Sequence, residues 1–404
     1  EGMVPEEDLI RIPAVQKFNG SDFSVQLPIP GVLTEALGGF KPDIVHSHHP
    51  FLIGDTAMRM ASSYNVPLVF THHTLYEQNV HYVPGNADVL QKFVIELATG
   101  YANLADQVFA PSQSVEGLIK KRGVQTPVDV VPTGILLDQF ARGAAKSFRK
   151  EHNIPAEAFV VGYLGRLAPE KNLDFLGRVV MEFLKKNPDV YFLVVGHGPS
   201  EETIRTLATE AGVMDRLRVV GSLTGKEKVN AYHAMNVFAF ASQSETQGLV
   251  LTEALASRVP VVGVDASGVR DVIEDKINGC LIMQENQEEF LQALDWVRNL
   301  PQPATQKMKR ACRYTAERFS LDKCVDKALS VYQSLKVASN FTRRGSENSV
   351  WEKTGRLIRA EVDLVVNMTK AVGAALIPLP EKQDHPEIPE NPKSEDSVQK
   401  GSML

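Results

Sequence analysis

The chain has 404 residues, of which 43% are hydrophobic and 23% charged, with 43 basic and 49 acidic side chains. This length suits two or three ordinary domains, and the composition excludes a wholly disordered chain and a collagen-like fibre. The net charge of −6 gives no indication of a nucleic-acid partner, and no apolar run approaches the roughly 18 residues needed to cross a membrane. Three cysteines are too few for a disulfide framework and indicate a reducing, cytoplasmic compartment.

The first 145 residues predict short strands alternating with helices. Four apolar runs each end in polar or small residues, as strands of a buried sheet do, at 42–49, 67–74, 106–112 and 128–134. Helices are expected between them, at 51–62, 88–103 and 112–122. Residues 141–155 are interpreted as a linker that leads into a second domain of the same kind.

From residue 158 the alternation is more regular. Apolar runs predict strands at 158–165, 190–198 and 216–223, and helical patterns follow at 173–188, 200–213 and 224–235. Ser200 is a plausible helix N-cap, and Thr224 with Glu227 matches a capping box. Near-continuous apolar strands that alternate with helices predict a parallel, doubly wound α/β sheet, which binds ligands at the carboxyl ends of its strands.

The last third of the chain changes character. Residues 313–336 predict a helix, a polar linker follows, and 378–404 are rich in Pro, Glu, Lys and Ser, which predicts disorder. Between them, six apolar residues fall near one helical stripe: Trp351, Ile358, Val362, Val365, Val372 and Leu376. This spacing fits an interfacial membrane helix, and it equally fits a helix packed on the protein or on a second copy.

The most informative segment for function is 241–257. It predicts a strand end, a loop with Glu245, a helix that opens at Gly248, and Glu253 within that helix. The helix is apolar nearly all round, so it should be buried, and a buried carboxylate without a partner is costly. This favours a carboxylate that accepts hydrogen bonds from ligand hydroxyls. Gly248 would let the helix-start amides approach a phosphate.

A second set of candidates lies at 162–176 and 194–202. Arg166 and Lys171 follow the predicted strand that ends at Gly165. Each could be an ordinary surface cation or a cation that binds a diphosphate at the carboxyl end of the sheet. Gly196 and Gly198 form a G-x-G turn after the next strand, which by itself is a weak indication of nucleotide binding.

Together these motifs resemble the retaining glycosyltransferases of family 4, which have the GT-B fold. The resemblance rests on the E-x7-E spacing of Glu245 and Glu253, the GRL…EK segment, the VGHGP turn and the VVGSL strand end. It implies an α/β protein with two Rossmann-like doubly wound domains facing a cleft, plus a C-terminal helical extension. It also implies how the chain is divided. Residues 1–145 would form the acceptor-side domain and 146–312 the domain that binds the nucleotide sugar. Residues 313–336 would form a helix packing back toward the first domain, and 337–404 a helical extension with a tail.

The resemblance also implies roles for individual residues. Glu253 would hold the donor ribose, Glu245 and His73 would contact the transferred sugar, and Arg166 and Lys171 would bind the diphosphate. The remaining donor-binding positions are Gly165, Gly196, Gly198, Ser222, Leu223, Thr246, Gly248 and Leu249. Two positions depart from the usual family pattern, where Arg258 replaces Gly and Asp271 replaces Glu.

Histidines are concentrated in the first domain, which raises a metal hypothesis for the H-x-H-H and H-H segments: His46, His48, His49, His72, His73 and His81. No carboxylate or cysteine lies at ligand spacing beside them, and the resemblance implies that no metal or other cofactor is required. Residues 72–84 are similar to segments of glycosyltransferases that act on diacylglycerol. Tyr76, His81 and Tyr82 are therefore candidates for an acceptor groove.

The predicted activity is transfer of a hexose, with retention, from a nucleotide diphosphate sugar to a hydroxyl of a lipid or glycan. A UDP-sugar such as UDP-glucose is favoured and a GDP-sugar is the alternative, with a peripheral contact on the inner face of a membrane through 350–376. Two alternatives stay open, a sugar-nucleotide epimerase and a non-catalytic module. The latter is considered because the family's opening β-α-β unit, with its Gly-rich loop, is not recognisable ahead of 6–15, so an N-terminal truncation is expected.

Overall fold

The computed structural model describes residues 9–10, 14–15, 25–26, 39–78, 87–343 and 350–376. Within these residues the strands form one short antiparallel pair and two larger parallel sheets. The antiparallel pair consists of β1 (Ala14–Val15) and β2 (Val25–Gln26). The segment 378–404, for which the sequence predicts disorder, lies outside the described residues.

The N-terminal parallel sheet has the strand order β3-β4-β5-β6. Its strands are β3 (Val45–Ser47), β4 (Leu68–Thr71), β5 (Gln107–Ala110) and β6 (Val128–Val130). The helices that connect them are α1 (Ile53–Tyr64), α2 (Ala87–Leu104) and α3 (Gln113–Lys121). Every residue of β4 and β5 is buried, which explains why these strands are continuous apolar runs in the sequence. The predicted elements of this half are confirmed, with ends shifted by a few residues.

The C-terminal parallel sheet has the strand order β12-β11-β10-β7-β8-β9. Its strands are β7 (Phe159–Leu164), β8 (Val190–Val195), β9 (Leu217–Val219), β10 (Val237–Phe240), β11 (Val261–Val264) and β12 (Gly279–Ile282). The helices around it are α4 (Ala145–Glu151), α5 (Leu173–Lys186), α6 (Glu201–Glu210), α7 (Gly225–Ala234), α8 (Leu249–Ala256) and α9 (Gln287–Arg298). The strand order reverses between β7 and β10, as in a Rossmann fold, and a crevice forms at such a switch point. The doubly wound prediction is confirmed.

Three local predictions are corrected. The predicted linker 141–155 contains α4, and Phe148 of this helix is buried in the core of the C-terminal domain. The segment is short and mostly polar, so its sequence shows no clear helical period. Ser200 and Thr224 occupy the N-cap positions of α6 and α7, but neither side chain makes a capping hydrogen bond.

The predicted helix 313–336 is two helices, α10 (Gln302–Ala316) and α11 (Leu321–Arg343). They are separated by a tight turn at 317–319, where Phe319 and Leu321 exchange backbone hydrogen bonds of 2.9 Å with Ile135. This contact redirects the chain, so that α11 packs across the N-terminal sheet against Val69 and Phe109. The last helix, α12 (Val350–Leu376), packs on α1 and α2. No helix in the described part of the chain is long and apolar enough to cross a membrane.

Candidate active site

The loops that follow β7 and β10 meet at the switch point of the C-terminal sheet. β7 and β10 are direct parallel neighbours, with Val161 opposite Val237 and Gly162 opposite Phe238. Their carboxyl ends therefore deliver Gly165–Lys171 and Ser242–Gly248 to the same edge of the sheet. The two loops contain the candidate residues Arg166, Lys171 and Glu245.

Glu245 is held at the start of α8. Its Oε1 accepts hydrogen bonds from the backbone amides of Thr246, Gln247 and Gly248 at 3.2, 3.4 and 3.0 Å. Its Oε2 lies 3.6 Å from Nζ of Lys171, and the two side chains are only 17% and 20% exposed. Gly248 has φ 77°, a left-handed conformation that glycine adopts without strain. A carboxylate, a cation and a helix N-terminus thus lie together, but the amides before α8, which the sequence suggests for a phosphate, donate to Glu245 in this structure.

Arg166 lies in the same loop but faces a different carboxylate. Its guanidinium pairs with Glu170, whose side chain is 6% exposed. Glu170 and Lys171 belong to a single 3-10 turn, Pro169–Lys171, and Arg166 lies just before this turn. The sequence did not single out Glu170, although its spacing of four residues from Arg166 is the usual spacing of an ion pair within a turn of helix.

Glu253 is engaged by side chains of the neighbouring helix α7. Its Oε1 accepts a hydrogen bond of 2.7 Å from Lys228, and its Oε2 accepts one of 2.9 Å from the hydroxyl of Tyr232. Complete burial, together with the nearby Glu253 charge, raises the pKa of Tyr232, so this hydroxyl donates. The Glu253 carboxylate therefore has two protein partners before any ligand binds. Both partners were missed, although their spacing of four residues places them on one face of a helix.

The two glycines of the G-x-G turn are required by close packing between loops. A Cβ on Gly196 would lie 1.9 Å from the carbonyl oxygen of Gly165, and one on Gly198 would lie 2.4 Å from that of Leu167. The amide of Gly196 also donates to the carbonyl of Gly221 at 2.8 Å, immediately before the exposed Ser222 and the half-buried Leu223. The predicted donor-binding segments after β7, β8 and β9 are therefore adjacent.

His73 brings the N-terminal domain against the loop that carries Glu245. Its Nε2 lies 2.8 Å from Nδ1 of His48, and its backbone carbonyl accepts a hydrogen bond of 2.9 Å from the hydroxyl of Thr246. Burial, helped by the charge of His48, lowers the pKa of His73 to about 4, so the ring is neutral at pH 7. The structure thus brings His73 against the loop that carries Glu245.

Further hydrogen bonds join the two domains around the same loop. Gln247 is 4% exposed, and its side-chain amide pairs with both backbone groups of Thr133 at 2.7 Å. The hydroxyl of Ser112 donates to the carbonyl of Thr246 at 2.7 Å. Asp271 accepts from the amide of Gln113 at 3.0 Å, at the start of α3. None of these links was visible in the sequence.

The acceptor candidates are only partly described. The ring of Tyr76 contacts His49, Phe51 and His72 edge-on, and its buried hydroxyl has no hydrogen-bond partner among the residues that the structure describes. His81 and Tyr82 lie outside the described residues. A cavity of about 380 Å³ adjoins the cleft and has walls from both domains, formed by Gln78, Pro169, Glu170, Asn172, Gln243, Ser244 and Glu285. Among the residues that the structure describes, no group of three or more His, Cys, Asp and Glu side chains could hold a metal ion.

Comparisons with known proteins bear on this arrangement. The family described as Glycosyltransferase Family 4 matches residues 1–139, and Glycosyl transferases group 1 matches residues 145–319. Among solved structures, that of HepE from Anabaena in complex with UDP-glucose has a TM-score of 0.63 at 19% identity, over 75% of this chain and 82% of HepE. This likeness confirms the GT-B fold.

Curated relatives agree with the family matches. D-inositol 3-phosphate glycosyltransferase of Segniliparus rotundus is 30% identical over 317 residues, which cover 75% of this chain and 69% of the relative. Alpha-monoglucosyldiacylglycerol synthase of Streptococcus pneumoniae is 29% identical over 69% of this chain, which spans 64% of that relative's length. The prediction of a glycosyltransferase is confirmed at the level of the family. The chain belongs to the family 4, group 1 glycosyltransferases and has their GT-B fold.

Proposed function

We propose that this chain transfers a hexose, with retention, from a nucleotide diphosphate sugar to a hydroxyl group of a lipid or glycan. One observation carries the proposal: Lys171 and Glu245 meet beside the N-terminus of α8, at the switch point of the C-terminal sheet. A cation and a helix N-terminus together suit a diphosphate, and a carboxylate beside them suits the hydroxyls of a sugar.

The donor would lie along the carboxyl edge of the C-terminal sheet. Glu253 at one end is the candidate for the ribose hydroxyls, with Lys228 and Tyr232 fixing the orientation of its carboxylate. The loop at Ser222 and Leu223 would frame the base. A UDP-sugar is favoured over a GDP-sugar because HepE, which shares the fold, has been solved with UDP-glucose.

Retention is proposed from the family resemblance, and the contacts of Glu245 support a route to it without a covalent glycosyl-enzyme. One carboxylate oxygen accepts three backbone hydrogen bonds and the other faces Lys171, which suits a group that orients sugar hydroxyls better than a free covalent nucleophile. The diphosphate would therefore depart from the same face on which the acceptor hydroxyl attacks. Lys171 and the start of α8 would stabilise the negative charge that grows on the leaving group, and neutral His73 would hydrogen-bond to the sugar.

A lipid acceptor is favoured over a glycan. Relatives from Streptococcus pneumoniae and Acholeplasma laidlawii are named as alpha-monoglucosyldiacylglycerol synthases. The protein would therefore contact a membrane peripherally through 350–376.

A cytoplasmic location is also part of the proposal. The three cysteines are free and buried, as suits a reducing compartment.

Replacement of Lys171 by Ala tests the proposal. Loss of the ammonium should lower the turnover of hexose transfer about a hundredfold or more, because the charge on the leaving diphosphate loses its cation. The measurement is product formation from UDP-glucose and detergent-dispersed diacylglycerol, together with release of UDP. Lys185→Ala is the matched control, since this lysine lies on the exposed end of α5 and pairs only loosely with Glu182 at 3.4 Å.

Near-normal turnover of the Lys171→Ala variant would refute the assigned role. A donor that is converted to another sugar nucleotide without any acceptor would instead identify an epimerase.

A further inference from the structure

Helix α12 is fastened to the N-terminal domain through small residues. Ala360, Ala371 and Ala375 are 2%, 0% and 7% exposed where the helix packs on α1 and α2. The side chain of Asn367 donates to the carbonyl of Leu97 at 3.1 Å and lies directly over Gly100, where a Cβ would leave it no room. This inner face thus closes tightly on the domain.

The opposite face of α12 consists of large apolar side chains, and we call it the outer stripe. Its members are 43% to 85% exposed: Trp351, Ile358, Val362, Val365, Val366, Met368, Val372 and Leu376. Most successive members are three, four or seven residues apart, so they share one side of the helix over about 38 Å. A contiguous apolar surface of this length on a folded domain indicates an interaction site.

The charges around the outer stripe distinguish it from the rest of the chain. The chain has a net charge of −6, and residues 1–145 hold nine basic and fifteen acidic residues, whereas α12 holds four basic and three acidic ones. One of those acids, Glu361, is neutralised by a two-point ion pair with Arg59 at 2.5 and 3.0 Å. With Glu361 paired, α12 keeps four basic residues against two acidic ones, and Trp351 projects at one end with 85% of its surface exposed. An excess of basic residues on an amphipathic helix and a tryptophan at its end complement a lipid surface that carries anionic headgroups.

The direction of α12 links this stripe to the cleft. Arg356 donates to the carbonyl of Ser62 near the end of α1, and Glu361 pairs with Arg59 about one turn earlier in α1, so the two helices are antiparallel. The end of α12 at Leu376 therefore points toward the start of α1. That start follows the carboxyl end of β3, the edge of the sheet where His48 and His73 lie.

We propose that the outer stripe docks on the surface of a bilayer with anionic headgroups, with α12 lying in the plane of the interface. No described helix can span a membrane, and an apolar stripe with charged margins is the pattern of a helix that lies on one. The inference rests on the proposed function for the identity of the acceptor, since such docking would bring a lipid hydroxyl to the cleft.

The test is co-sedimentation of the full chain with vesicles of phosphatidylcholine, with and without phosphatidylglycerol. The wild-type chain should pellet with the anionic vesicles, and binding by the double variant Ile358→Gln/Val365→Gln should fall about tenfold or more. Glutamine favours a helix at least as well as isoleucine or valine, so α12 should stay folded. The matched control, Ile277→Gln/Met283→Gln, changes residues that are 53% and 66% exposed on the other domain, and should bind like the wild type.

Equal binding by the stripe variant and the wild type, or a wild type that binds neither vesicle, would overturn the proposal. The proposal would also be overturned if sedimentation equilibrium showed a dimer for the wild type and a monomer for the stripe variant while both bound vesicles equally. The stripe would then cover a second copy of the chain. The assay contains no donor and measures no transfer. Its failure is thus distinct from failure of the proposed function, which the Lys171 variant reports with a detergent-dispersed acceptor.

Discussion

At the scale of single residues, the cleft of the N-terminal domain is lined by histidines that burial keeps neutral. Burial lowers the pKa of His46 to about 3, and the charges of His48 and His73 contribute less. The two ring nitrogens of His46 form hydrogen bonds with the hydroxyls of Tyr332 and Thr71, at 2.5 and 2.7 Å. A neutral cluster would suit the proposed function, in which these rings face uncharged sugar hydroxyls beside a diphosphate. It also makes the stability of the fold depend on pH.

His72 gives the clearest prediction of that dependence. Its side chain is 3% exposed, and burial, reinforced by the charge of Arg122, lowers its pKa to about 4 although Glu77 acts in the opposite sense. The unfolded chain takes up a proton on this histidine below about pH 6.5, whereas the folded chain does not until about pH 4. The free energy of unfolding should therefore fall as the pH drops through that window, by about 2 kcal/mol at pH 5 from His72 alone.

Denaturant titrations at about pH 7.5 and pH 5 measure this effect. The His72→Gln variant should lose about 2 kcal/mol less than the wild type between the two pH values. His197→Gln is the control because that side chain is 81% exposed, and its loss should match the wild type's. An equal loss in the His72 variant and the wild type would contradict the buried neutral state.

At the scale of secondary-structure elements, α11 ties the C-terminal domain to the N-terminal sheet. Tyr332 of this helix hydrogen-bonds to Nδ1 of His46 at 2.5 Å and stacks on Phe109 with ring centroids 5.8 Å apart. Val331 and Leu335 pack beside it against the same small cluster. The helix thus supports the strand end that carries His46 and His48.

Removal of the Tyr332 hydroxyl isolates the polar part of this contact. Tyr332→Phe should lower the free energy of unfolding by about 1 kcal/mol, because one half-buried hydrogen bond is lost while the ring stack is retained. Tyr314→Phe on α10 is a matched control, since that tyrosine is 72% exposed. Thermal or denaturant unfolding should separate the two variants. If they are equally stable, the Tyr332–His46 bond contributes nothing to the fold.

The same elements indicate how far the sequence leads. The strands β4, β5, β7 and β8 are recognisable because strands buried on both faces are short apolar runs with glycine or polar residues at their ends. The cluster around Glu245 is recognisable because its members lie within one loop or at two neighbouring strand ends. The Tyr332–His46 contact is not, since it joins residues 286 positions apart. The break near Ser320 likewise depends on the backbone of Ile135 and leaves no local pattern.

At the scale of the whole molecule, the cleft is closed by a small number of hydrogen bonds around the Glu245 loop. Gln247 bonds to both backbone groups of Thr133, and Asp271 bonds to the amides of Gln113 and Ser114 at 3.0 and 3.3 Å. Asp271 is also where this chain departs from the residue that the family resemblance leads one to expect. The shorter aspartate still reaches across to the start of α3, where the helix dipole favours its charge.

Loss of these bonds should open the cleft. In the double variant Gln247→Ala/Asp271→Ala, four hydrogen bonds between the domains, of about 1 kcal/mol each, disappear, which favours an open arrangement about a thousandfold. Small-angle X-ray scattering should then give a larger radius of gyration than for the wild type. Asp174→Ala/Gln292→Ala is the control, because Asp174 pairs only with Arg178 on the exposed face of α5 and Gln292 lies on the surface of α9. An unchanged radius of gyration in the Gln247/Asp271 variant would mean that packing through α11 holds the domains together without this loop.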